Sequence, residues 1–178
     1  GIAANIAAVE QGLSATNIAT NEAVFTAGLI TMGGMGATLT LNLLMCFSKS
    51  KSLKTVGRLS ILPSIFNINE PVIFGAPIAF NPIFFIPFVF LPGLLATSTV
   101  LLMEAGIIAM PTIGMVPWTL PPGLIGFFMT GGAISTTVWS ILIVVITIVV
   151  YYPFFRVADK QQYEKELQES KELDNQTI

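Results

Sequence analysis

Between Arg58 and Arg156 the chain carries only two charged side chains, Glu70 and Glu104. An ordinary soluble domain draws about a quarter of its residues from Asp, Glu, Lys and Arg. A stretch this long without them has no polar surface to turn toward water. Its bulk is Phe, Ile, Leu and Val, for which lipid is the natural solvent. Over all 178 residues the chain is 53% hydrophobic and 10% charged, with a mean hydropathy of +0.79. The pattern predicts an all-α integral membrane protein that crosses the membrane more than once.

The same inventory excludes several chemistries. Net charge is −2, with the acidic excess after Asp159, so no basic face for nucleic acid exists. Cys46 is the one cysteine and sits among apolar neighbours, which fits a packing residue and forbids an internal disulfide. There is no histidine, which rules out a His-based metal site, a catalytic triad or a phosphohistidine carrier in this chain. No metal and no cofactor are expected. The start, "GIAANIAAVEQG", lacks the basic region of a signal peptide and reads as the middle of something longer.

Residues 1–22 are mixed small and polar, suited to a loop or short surface helix. Residues 23–47 are long enough to span about 30 Å of hydrocarbon as a helix. The loop that follows holds Lys49, Lys51, Lys54 and Arg58, which places it in the cytoplasm. Segment 59–92 is as apolar as a span but contains Pro63, Pro71, Pro77, Pro82, Pro87 and Pro92, so no straight helix runs through it. In lipid, broken backbone survives where protein or a wet cavity covers it. A re-entrant hairpin over 60–80 and a span over 83–109 are therefore expected. A second proline-rich re-entrant segment covers 111–131, and a third span covers 133–155, ending in an anchor of Tyr151, Tyr152 and Arg156. Residues 1–157 form the membrane domain. Residues 158–178 form a solvated cytoplasmic tail, with helix an open option, so the C-terminus is cytoplasmic.

The stretch 66–88, "FNINEPVIFGAPIAFNPIFFIPF", holds the most expensive group in the membrane segment. A carboxylate near the bilayer centre costs about 2.5–3.5 kcal/mol on insertion scales, so such groups usually face a cavity and act there. Glu70 is thus the candidate catalytic residue. Its neighbours Asn67 and Asn69 add hydrogen-bond donors and acceptors suited to sugar hydroxyls. A structural hydrogen bond that pins the hairpin is the competing reading. Trp118, among prolines, is suited to stacking on a sugar face or to the interfacial belt; Trp139, in the smooth last span, reads as packing or belt. Gly33, Gly34 and Gly36 have no Lys-Ser/Thr partner for a phosphate loop and suit close helix approach instead. Glu104, near the end of its span, reads as interfacial.

That stretch resembles the signature of the membrane permease (IIC) subunits of the bacterial phosphotransferase system, in the lactose/cellobiose (chitobiose) family. "GGMGATLTL" (33–41), "PWTLPP" (117–122) and "YYPFF" (151–155) are similar to further family segments, in the same order. Met35 departs from the family's usual serine. The resemblance covers the C-terminal part of such a permease and implies a Gly-His-Gly motif upstream of this chain. It implies a permease for a β-linked disaccharide of the cellobiose, chitobiose or lactose type. Glu70 would lie next to the hydroxyl that becomes phosphorylated, with Asn67, Asn69 and Trp118 at the substrate and a backbone contact from Gly34. It also implies cytoplasmic IIB and IIA partners, with the phosphoryl donor on IIB, and a homodimer for the full-length protein. An ion-coupled secondary transporter, with Glu70 carrying a proton or cation, and a truncated, non-transporting membrane fragment are the rival readings.

Overall fold

In a computed structural model of the chain, residues 2–14, 29–76, 78–113 and 116–176 are described. Helix is the regular structure throughout these residues: α1 (Ile2–Glu10), α2 (Leu39–Met45), α3 (Lys51–Ile65), α4 (Glu70–Gly75), α5 (Pro82–Glu104), α6 (Leu124–Met129) and α7 (Ile134–Gln176), with a 3₁₀ turn at Ile78–Phe80. Two of them, α5 and α7, are long and apolar enough to cross a membrane. They overlap the segments 83–109 and 133–155, although α5 stops at Glu104 and α7 runs on to Gln176.

Each of these helices buries one stripe. On α5 it runs Phe84, Pro87, Leu91, Leu95, Thr99 and Met103; on α7 it runs Thr136, Ser140, Ile143, Thr147, Tyr151, Phe155 and Ala158. Steps of three and four keep such residues on one face of a helix. The stripes meet, and Trp139 Nε1 donates to Thr99 Oγ1 at 2.9 Å across the contact. That gives Trp139 the packing role expected of it. The opposite faces are lined by exposed Phe85, Val89, Leu94, Leu101, Val145 and Val149. An outward apolar surface of this extent is a lipid- or helix-facing surface, since water would not tolerate it. Asn81 starts α5 by accepting from Ile83 N at 3.0 Å, and Pro82 occupies the first turn, where its missing N–H costs nothing. Glu104 ends α5 in an exposed position, as its reading required.

Two expectations are corrected. The span predicted over 23–47 is not one helix: 23–28 lie outside the described residues, 29–38 is a run of turns, and helix begins only at Leu39. The glycines therefore sit in a turn and not in a helix, Gly34 at φ +90° and Gly36 at φ +82°. Second, the basic segment 49–58 is not a loop throughout: from Lys51 onward it is the first half of α3, with Ser50 as its cap. The residues after Ala158 are helical and mostly exposed, within the solvated and helical option left open above. They continue α7 for 43 residues in all, a length of about 65 Å at 1.5 Å per residue.

That extension has a structural task. Asp159, buried, accepts from the Ser48 hydroxyl, from Lys49 N at 3.0 Å and from Ser50 N at 3.2 Å. Two turns further on, Glu166 accepts from Lys51 N at 2.8 Å, from Ser52 N at 3.0 Å and from the Ser50 hydroxyl. Ser50 itself caps α3 by accepting from Leu53 N at 3.1 Å. The first amides of a helix lack intrahelical acceptors, and negative charge there is favoured by the helix dipole. The two carboxylates of α7 thus clasp the start of α3. Burial opposes the charge on Glu166, but the Ser50 hydroxyl, the Ser52 and Lys51 amides and the Lys51 ammonium outweigh it and hold the carboxyl below its ordinary 4.5.

A group whose folded pKa is depressed stabilises the fold above its unfolded value, and that stability is lost as pH falls through the folded value. Amides at the start of α3 are expected to keep constant hydrogen-exchange protection above pH about 4.5 and to lose part of it below, once intrinsic exchange rates are corrected for. Glu166→Gln should abolish that pH-dependent part. Asp159→Ala should destabilise the protein by about 1–3 kcal/mol, because it orphans buried donors; a thermal midpoint equal to the parent's would refute the clasp.

Candidate functional site

The Asn-Glu-Pro corner is built by the way α3 stops. Asn67 N donates to Ser64 O at 3.1 Å and Ile68 N to Pro63 O at 3.1 Å. Together with Asn67 in the left-handed region at φ +63°, these bonds form a Schellman C-cap, in which asparagine is the best substitute for glycine. Asn69 then precedes α4, with Glu70 in its first turn and Pro71 beside it.

Both asparagine side chains reach other segments. Asn67 Oδ1 accepts from Gly33 N at 2.8 Å, while its Nδ2 donates to Trp118 O at 2.6 Å and Leu120 O at 3.1 Å. Asn69 Nδ2 donates to Met35 O at 2.7 Å and Thr38 Oγ1 at 2.8 Å. Thr38 in turn donates to Gly33 O at 2.8 Å. Three broken segments (the glycine turn, the corner after α3 and the Pro-Trp turn) are knitted by two amides.

The glycine turn is held from the other side as well. The Tyr151 hydroxyl donates to Gly36 O at 2.6 Å, with the ring fully buried in α7. A side chain at Gly36 would collide with the Phe88 ring, and one at Gly34 with the Asn69 amide. Asn42 Nδ2 donates to Ser64 Oγ at 2.8 Å and ties α2 to α3 just below the corner.

The structure therefore brings Asn67, Asn69, Gly34 and the Trp118 backbone into one junction and leaves the Glu70 side chain exposed beside it. The amide hydrogens of both asparagines are committed to protein acceptors. Gly34 is covered by Asn69. Glu70 and the half-exposed ring of Trp118 are what the junction presents outward. Glu70 lies in the first turn of α4. It can accept from two hydroxyls, and an exposed indole beside it can stack on an apolar sugar face. Among the described residues no cluster of three or more His, Cys, Asp or Glu side chains could hold a metal ion. Thr38 was not singled out from sequence, and Tyr151, expected in an interfacial anchor with Tyr152 and Arg156, is instead fully buried against the glycine turn. A threonine in a glycine turn and a tyrosine in an apolar helix carry no local mark of the partners they find.

Gly34→Ala places a Cβ against Asn69 and forces a positive φ, a combination expected to cost about 2–4 kcal/mol. In an Asn69→Ala background the same change should cost less. A double-mutant cycle on thermal stability reads the difference, and strict additivity would show that the two residues do not touch.

Residues 1–92 match the family model "Phosphotransferase system, EIIC". The cellobiose-specific EIIC component of Geobacillus stearothermophilus is 46% identical over 77% of this chain and 31% of its own length. The lactose-specific EIICB component of Staphylococcus epidermidis is 42% identical over 82% of this chain and 25% of its own. The crystal structure of the transporter ChbC, the IIC component from the N,N'-diacetylchitobiose-specific phosphotransferase system, superposes with a TM-score of 0.86 at 40% identity, covering 93% of this chain and 38% of that one. The chain thus spans about a third or less of the length of the curated relatives it matches. On the match of residues 1–92, which is half of the chain, and on relatives this similar, the chain belongs to the EIIC family of the phosphotransferase system, a family of integral membrane transporters.

Proposed function

We propose that this chain carries part of the sugar site of a phosphotransferase-system permease. In this reading Glu70 is the residue that holds the sugar hydroxyl destined for phosphorylation. The observation that carries it is the exposure of Glu70 at a junction where the amide hydrogens of Asn67 and Asn69 are committed to backbone carbonyls and the Thr38 hydroxyl. A rigid polar frame with one exposed carboxylate is arranged to present that carboxylate. Trp118 supplies a stacking surface. Asn67 and Asn69 act by positioning, and Gly34 acts by admitting Asn69.

The substrate class is a β-linked disaccharide of the cellobiose, chitobiose or lactose type, supported by the sugars named for the matched relatives. The carboxylate would accept from the hydroxyl and draw off its proton as a phosphoryl group arrives. The phosphoryl donor would lie on a separate IIB component served by IIA; the EIICB name of the staphylococcal relative supports a B-component partner. The α3–α4 corner and the proline-rich segment before α6 would be the re-entrant elements. The basic start of α3 and the end of α7 would face the cytoplasm. The full-length protein would act as a homodimer. Phosphorylation charges the sugar and so traps it inside the cell.

The test uses the full-length permease with its soluble partners. Glu70→Gln should lower phosphorylated-sugar accumulation by at least about a hundredfold, the usual scale for a positioned acid–base group, with the thermal midpoint kept. Trp118→Ala should weaken disaccharide binding by about tenfold, given about 1–2 kcal/mol for an aromatic contact. Accumulation by Glu70→Gln at the parent's rate would overturn the assignment. Uptake that follows the proton or sodium gradient and ignores phosphoenolpyruvate would point to an ion-coupled transporter instead.

A further inference from the structure

One face of α7 changes character in order along its length. Val145, Val149, Tyr152, Arg156, Lys160, Tyr163 and Leu167 are all exposed and follow one another at steps of three and four. Counting about 20 residues of hydrocarbon-spanning helix from Ile134 puts the membrane boundary close to Tyr152. The face thus runs from aliphatic, through aromatic, to cationic where the headgroups of a bilayer would lie. Beside it, the turn that follows α2 contributes Phe47, which is 80% exposed, and Lys49. Between the two lies a cleft of about 610 Å³, lined by Phe47, Lys49, Tyr152, Arg156, Lys160 and Tyr163 over a floor of Leu44 and Phe155.

Three cations, Lys49, Arg156 and Lys160, line this cleft against two carboxylates, Asp159 and Glu164, which leaves it net positive. Asp159 also lines it, but its carboxylate is taken up by the Ser48 hydroxyl and the Lys49 and Ser50 amides. Glu164 lies 3.8 Å from Lys160 in an exposed pair, which water screens. Among the described residues neither Lys49 nor Arg156 has a carboxylate within salt-bridge distance. Arg156 Nη1 donates to the Tyr152 hydroxyl at 3.1 Å, and the guanidinium lies 5.8 Å from the Tyr152 ring centroid. The guanidinium is therefore held at the mouth of the cleft, above the apolar face.

We propose that this cleft is a binding site for one anionic glycerophospholipid. The phosphate is held by Lys49, Arg156 and Lys160, and an acyl chain lies against Phe47 and Tyr152 and along Val149 and Val145. Charge complementarity selects the anionic headgroup, and a guanidinium suits phosphate geometry. The continuity of the cation cluster with an outward aliphatic stripe selects a lipid over a free anion, which would gain nothing from the stripe. It also argues against a soluble protein partner, which could not follow the stripe below the headgroups.

The test places the full-length permease in phosphatidylcholine nanodiscs with and without phosphatidylglycerol and counts retained lipid by native mass spectrometry. The parent should retain phosphatidylglycerol over phosphatidylcholine. K49Q/R156Q/K160Q, and to a smaller extent R156Q alone, should weaken that retention, the triple variant by about tenfold or more. K54Q/R58Q, which removes cations outside the cleft, should not. Phe47→Ser should weaken retention too, and glycerophosphate should compete poorly. Retention equal in parent and triple variant overturns the proposal. So does full competition by glycerophosphate together with an inert Phe47→Ser, which would mark a free-anion site. Loss of partner-subunit binding in the triple variant with lipid retention intact would assign the cleft to protein docking and also overturn it.

Discussion

Backbone that leaves a helix inside an apolar medium must have every N–H and C=O answered from within the protein, and here the answer comes through the side chain of Asn67. Its amide gives two hydrogens to the Pro-Trp turn and takes one from the glycine turn, while its own backbone caps α3. No other residue type matches this demand. Glycine would accept the φ of +63° without the staple. Aspartate would accept from Gly33 but could not donate to two carbonyls, and it would add a buried charge. Asn69 repeats the device one residue pair later. With both in place, two proline-rich segments and a glycine turn lie together, and Glu70 is left as the outward polar group.

Much of this was legible in the sequence. The long uncharged interval led directly to α5 and α7, because twenty or so apolar residues have few other options. The Asn-Glu-Pro corner stood out because a carboxylate there is costly. The roles of the asparagines were less visible. Amides beside a carboxylate suggest ligands, but Asn67 and Asn69 spend their hydrogens on backbone more than thirty residues away in sequence. No local pattern announces such partners.

The two misread boundaries have the same cause. Residues 29–38 are as apolar as a spanning helix, and hydropathy does not distinguish a helix from a buried turn. What stabilises the turn is Tyr151 and Asn69, both remote. The lysines of 49–58 read as a loop because their charge indicates sidedness rather than conformation. The helix they begin is capped by Asp159 and Glu166, more than a hundred residues on. Long-range capping is invisible to any window that moves along a chain.

The spacing of that clasp has a consequence for motion. Asp159 and Glu166 stand seven residues apart on α7, so they face the same way, and each engages a different pair of amides on α3. Turning α7 by a single residue swings both carboxylates away by about 100°, and sliding it by one residue misaligns both at once. The pair works as a key in a slot, fixing rotation and translation together. Tyr151 fixes the same helix to the glycine turn farther up. Any rotation or slide of α7 against α3 would therefore have to break both carboxylate contacts, and a shift against the glycine turn would break the Tyr151 contact as well.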